Sequence, residues 1–174
     1  MESQKQCAYP RPQLEREKWL CLDGVWKFRF DDQRDIKQPK DIRDWPLEIL
    51  VPFPPESTRS GIGDRGFHKA CWYQREFQMK RGKGRVILHL GAVDYAASVW
   101  VNDRMVAFHE GGHTPFWTDI TSVLKRTRSS APTFFITRAK YRCSSSRSSK
   151  CLPQSFFANE KEYRWLGVST PAPG

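Results

Sequence analysis

Residues Arg85–Thr121 read RVILHLGAVDYAASVWVNDRMVAFHEGGHTPFWTDIT, and two incompatible structures compete for this stretch. His109-Glu110-Gly111-Gly112-His113 fits the H-E-x-x-H pattern, in which two imidazoles one helical turn apart hold zinc and the glutamate serves as base. That chemistry needs a helix. Gly111 and Gly112 fill both middle positions, and each costs about 1 kcal/mol relative to alanine in a helix interior. Thr114-Pro115 follows at once, and the residue before a proline is steered away from α geometry. A Gly-Gly pair after a β-rich run is a loop signal. The zinc reading therefore fails, nothing else in the sequence motivates a site on His109 and His113, and no metal or other cofactor is expected.

The flanking residues predict strands. Arg85-Val86-Ile87-Leu88-His89-Leu90 is the first, closed by Gly91. Ser98-Val99-Trp100-Val101 and Arg104-Met105-Val106-Ala107-Phe108 are the next two, and Asn102-Asp103 between them suits a two-residue hairpin turn because Asn and Asp tolerate positive φ. β-branched and aromatic residues dominate all three, as a pleated, half-buried surface prefers. Upstream, Val25–Phe30 alternates, with Trp26, Phe28 and Phe30 on one face and Lys27 and Arg29 on the other. A further strand sets Tyr73, Arg75 and Phe77 against Trp72, Gln74 and Glu76. Short strands separated by Gly, Pro and Asp turns predict an all-β sandwich or jelly roll. No long segment carries a 3.6-residue apolar period. Leu14–Leu20 reads as one helical turn or as a loop.

These pieces also resemble, in order, the N-terminal sugar-binding domain of glycoside hydrolase family 2, the β-galactosidase and β-glucuronidase group. Tyr9-Pro10-Arg11-Pro12-Gln13-Leu14 opens the match, and Trp19–Phe28 (WLCLDGVWKF) resembles W-x-x-L-x-G-x-W-x-F. Val51–Ser57 (VPFPPES), Ser60–Gly63 (SGIG) and Trp72–Phe77 (WYQREF) follow. Gly91–Tyr95 (GAVDY), Val99–Asn102 (VWVN), His109–Phe116 (HEGGHTPF) and Asp119-Ile120 complete it. The flavour is that of a microbial β-galactosidase-like member, and Asp103 departs from the glycine usual after the asparagine. The resemblance implies a galactose-binding-like jelly roll, here expected to be incomplete at its C-terminal side.

It also implies what this chain does not do. In the family, two glutamates on a separate (β/α)8 barrel carry a retaining hydrolysis, with their carboxyl groups about 5 Å apart. Such a barrel takes roughly 250 residues, against 174 for this chain. Glu56, Glu76 and Glu110 follow no pairing rule and read as loop or strand-surface carboxylates. A chain inactive by itself is expected, with the barrel as its missing partner and a β-galactoside or β-glucuronide as the sugar of the parent enzyme.

The net charge of +10 is unevenly placed. Residues 1–124 hold 19 Lys and Arg against 17 Asp and Glu, whereas residues 125–174 hold 10 against 2. No acidic residue occurs between Ile120 and Asn159, and Ser144–Ser149 reads SSSRSS. The expected organisation is a sandwich domain over residues 1–124 and a basic, Ser-rich tail over 125–174, with 134–138 as a residual strand. A family-like continuation after that strand is not recognisable. The abrupt switch points to a change of reading frame or a mispredicted splice between about Lys125 and Lys140. A basic tail also admits nucleic-acid binding, but this one lacks the interleaved aromatics of single-strand binders, and no nucleic-acid partner is expected.

Five cysteines (7, 21, 71, 143 and 151) lack C-x-x-C spacing, and the chain opens without an apolar leader-like run. A reduced, cytoplasmic protein without a membrane span is the expectation.

For the site, the loop from His109 to Trp117 offers His109, Glu110, His113 and Trp117 as carbohydrate contacts, with an aromatic face for the sugar ring and polar groups for hydroxyls. Its glycines suit close approach of a ligand or of neighbouring backbone. Packing against the next domain is the competing role. Trp19, Trp26, Trp72 and Trp100 are expected in the core. A free-standing carbohydrate-binding module is the second functional reading.

Overall fold

The structure, a computed structural model, describes residues 19–77, 84–124, 132–139 and 166–169. Among the described residues ten strands run in chain order: β1 Trp19–Cys21, β2 Gly24–Phe30, β3 Leu47–Val51, β4 Ala70–Glu76, β5 Ile87–Leu90, β6 Ala96–Val101, β7 Arg104–Glu110, β8 Phe116–Asp119, β9 Thr133–Ala139 and β10 Leu166–Ser169. They form an antiparallel sandwich of a four-stranded sheet, β1-β10-β5-β8, and a six-stranded sheet, β3-β2-β4-β9-β6-β7. This is the expected all-β class. Helix is confined, among the described residues, to the 3-10 turns Pro39–Asp41 and Thr58–Ser60. None of it is long and apolar enough to cross a membrane.

The core lies between the sheets and is built by alternation. β2 buries Trp26 and Phe28 inward and leaves Lys27 outside. Ile49, Val86, Leu88, Leu90, Val99, Val101, Phe134 and Ile136 meet them. Each fully buried side chain of this size contributes about 1.5–3 kcal/mol relative to exposure. The β6–β7 hairpin turns on Asn102 (φ 49) and Asp103 (φ 64), so Asp103 takes the left-handed conformation usually left to glycine. Asn102 also ties the turn to its surroundings. Its Nδ2 donates to Val123 O at 2.9 Å, and its Oδ1 accepts from Thr133 N at 3.2 Å.

The outer face of the six-stranded sheet is not uniformly wet. Trp72, Trp100 and Phe135 are buried there beneath Ile36, Ile42 and Trp45, which arrive on the 31–46 connection between β2 and β3. Trp72 lies 5.1 Å from Trp100, and Trp45 stacks on Phe135. Asp31 fastens the connection: its carboxylate accepts from Asp35 N, Ile36 N and Trp72 Nε1. Of the tryptophans expected in the core, Trp26, Trp72 and Trp100 are buried, whereas Trp19 on the edge strand β1 is half-buried.

Trp19 and Leu20 begin a strand, which corrects the helical-turn option for Leu14–Leu20; residues 14–18 lie outside the described residues. Cys21 is disulfide-bonded, which corrects the expectation of a fully reduced chain. Beyond residue 124, β9 pairs on both sides, with β4 and β6, and β10 pairs with β1 and β5. The Ser-rich run at 144–149 and the opening motif at 9–14 lie outside the described residues.

Candidate functional site

One end of the sandwich holds two of the sheet-to-sheet crossings next to each other. Registers place the end of β2, the start of β4, the end of β9, the start of β6 and the end of β7 side by side. On the other sheet, Leu90 at the end of β5 faces Phe116 at the start of β8. Residues 91–95 therefore cross from β5 to β6 at this end, and residues 111–115 cross back from β7 to β8.

The two crossings are seated on each other. Gly111 N donates to Tyr95 O at 2.9 Å. Gly112 lies against Asp94 so closely that an added Cβ would fall 2.6 Å from the Asp94 carboxylate oxygen. Gly111 has φ 135, a conformation L side chains rarely adopt. The glycines thus serve a close backbone approach. The H-E-x-x-H string spans the end of β7 and a turn, so its imidazoles do not share a helical face. Among the described residues no group of three or more His, Cys, Asp or Glu side chains gathers to hold a metal ion.

The four sequence-selected residues are not brought together. His109 turns toward the inside: its ring stacks on Phe116 at 4.3 Å, and its Nε2 lies 2.8 Å from Thr114 Oγ1. With the hydrogen bond from Thr118 Oγ1 to Val106 O at 2.9 Å, this stack closes the side of the sandwich between β7 and β8. Glu110 pairs with Ala96 and shares a strand face with Phe108, on the outside of the six-stranded sheet. Trp117 pairs with His89 on the outside of the four-stranded sheet and is 64% exposed. His113 is exposed in the turn.

Sequence reasoning did not select Asp94 and Tyr95 for the site. Tyr95 is 41% exposed at the crossing, an aromatic face beside a carboxylate and a glycine-lined turn. The signal available was positional: Gly91–Tyr95 sits between two strands of opposite sheets. Near the same end, His68 Nδ1 lies 2.9 Å from Asp32 and its Nε2 lies 3.2 Å from Asp64, with the ring stacked on Phe30. The hydrogen bond from Gly66 N and then the His68 ring hold the Asp64 carboxyl below the usual carboxylate range.

Residues 43–140 match the sequence profile described as the sugar-binding domain of glycosyl hydrolases family 2. The chain belongs to this family. It is 36% identical to β-glucuronidase of Canis lupus familiaris over 132 residues, covering 67% of this chain and 20% of that enzyme. It is 32% identical to β-glucuronidase of Paenibacillus borealis over 130 residues, covering 66% and 20%. Thus the chain spans about a fifth of the length of these family members. Among solved structures, Faecalibacterium prausnitzii β-glucuronidase superposes with a TM-score of 0.64 at 21% identity, over 93% of this chain and 32% of that one. A β-glucuronidase from Bifidobacterium dentium, complexed with coumarin-3-O-glucuronide, gives 0.57 at 25% identity over 72% and 21%. These family members are β-glucuronidases, where the sequence pattern suggested a β-galactosidase-like one.

Proposed function

We propose that this chain is the non-catalytic sugar-binding domain of a β-glucuronidase-like glycoside hydrolase, acting beside a catalytic barrel that recognises a β-glucuronide. The match of residues 43–140 to the family's sugar-binding domain, on a two-sheet sandwich, carries the reading. The crossing end is the side from which the domain meets sugar or barrel. His113 and Tyr95 are exposed there, Glu110 borders it, and Trp117 offers an open ring just beyond the turn. His109, stacked on Phe116 and joined to Thr114, supports the loop and keeps its assignment as a sugar contact only by proximity.

Purified chain incubated with nitrophenyl β-glucuronide and β-galactoside should release no nitrophenol, and turnover would refute the reading. Calorimetric titration with glucuronic acid and oligosaccharides separates it from a free-standing binding module. A domain made to work beside a barrel binds weakly or not at all, whereas a self-sufficient module saturates.

A change of reading frame between about Lys125 and Lys140 belongs to the same proposal. The family match stops at residue 140, inside the acid-free run from Ile120 to Asn159 and just before the Ser-rich segment 144–149. Translating the underlying nucleotide sequence in the other two frames tests it: a family-like continuation supports the shift, and its absence in both ends it. Cytoplasmic residence, expected from the sequence, is opposed by the disulfide at Cys21, since disulfides persist mainly in oxidising compartments.

A further inference from the structure

We draw no further inference here: the strongest candidate, the aromatic row that Trp19, His89 and the exposed Trp117 set on the outer face of the four-stranded sheet, carries none, because nothing in the structure shows what covers it.

Discussion

Gly112 shows how a residue chosen for one chemistry serves another. Between two histidines it looks like part of a metal motif, but its hydrogen atoms face Asp94 where a methyl group does not fit. Gly112→Ala should destabilise the chain by about 1–3 kcal/mol, the usual cost of forcing an extra carbon into a packed site. In an Asp94→Ala background the same change should cost much less, because the obstructing carboxylate is gone; urea unfolding of the four species measures this coupling. Equal costs in both backgrounds would show that the close approach is not the cause. Asn102 and Asp103 were legible, since positive φ is a property those side chains bring with them. The inward turn of His109 was not, because its partner Phe116 belongs to the other sheet and no local pattern announces a contact across sheets.

At the level of elements, β2, β4, β5, β6 and β7 were readable from alternation and β-branched content, to within a few residues at their ends, whereas β9 was expected only from the family resemblance. The short strands β1, β3, β8 and β10 were not, since three to five residues carry too little periodicity; the equally short β5 was read because its mostly apolar run, Val86–Leu90, is closed by Gly91. β4 shows a second limit. Trp72, Gln74 and Glu76 share a face, yet Trp72 is 2% exposed and Glu76 is exposed. The difference comes from the 31–46 connection, which covers one part of the face and leaves the rest open. Asp31 holds that cover, so Asp31→Ala strips three donors of their acceptor and leaves the buried Trp72 indole N–H without it. A loss of about 2–3 kcal/mol is expected, in the range for a buried hydrogen-bonding partner removed from its group. Denaturant unfolding followed by tryptophan emission measures it. Asp31→Asn should lose less, and an unaffected Asp31→Ala would mean that Trp45, Ile36 and Ile42 hold the cover without it.

For the whole molecule, the site's position was legible only as a stretch of chain, while its geometry depends on which end of the sandwich each crossing occupies. The acid response is likewise a property of the assembled fold. At the end of β8, the Thr121 hydroxyl, then its backbone N–H and Arg85, hold the Asp119 carboxyl below its ordinary value. Asp64 is lowered in the same direction by Gly66 and His68. Carboxylates depressed by folding give stability that is fully present above the unfolded value of about 3.9 and is lost as pH falls through the folded ones. The thermal midpoint should therefore fall on acidification below about pH 4. Asp119→Asn should lower the midpoint at pH 7 and flatten that acid limb; a limb as steep as in the parent chain would assign acid sensitivity to other groups.

The place of β9 has a consequence for how the chain is made. It lies between β4 and β6, although it is the last strand of its sheet to leave the ribosome. Until Thr133–Ala139 emerges, the β2–β3–β4 group and the β6–β7 hairpin have no strand to join them, and the slot for Phe134 stands open to solvent. Pairings of such long sequence separation close late and slowly. For as long as translation runs through residues 111–132, the nascent six-stranded sheet is two unjoined parts, and its exposure to chaperones and misassembly is set by the rate of elongation.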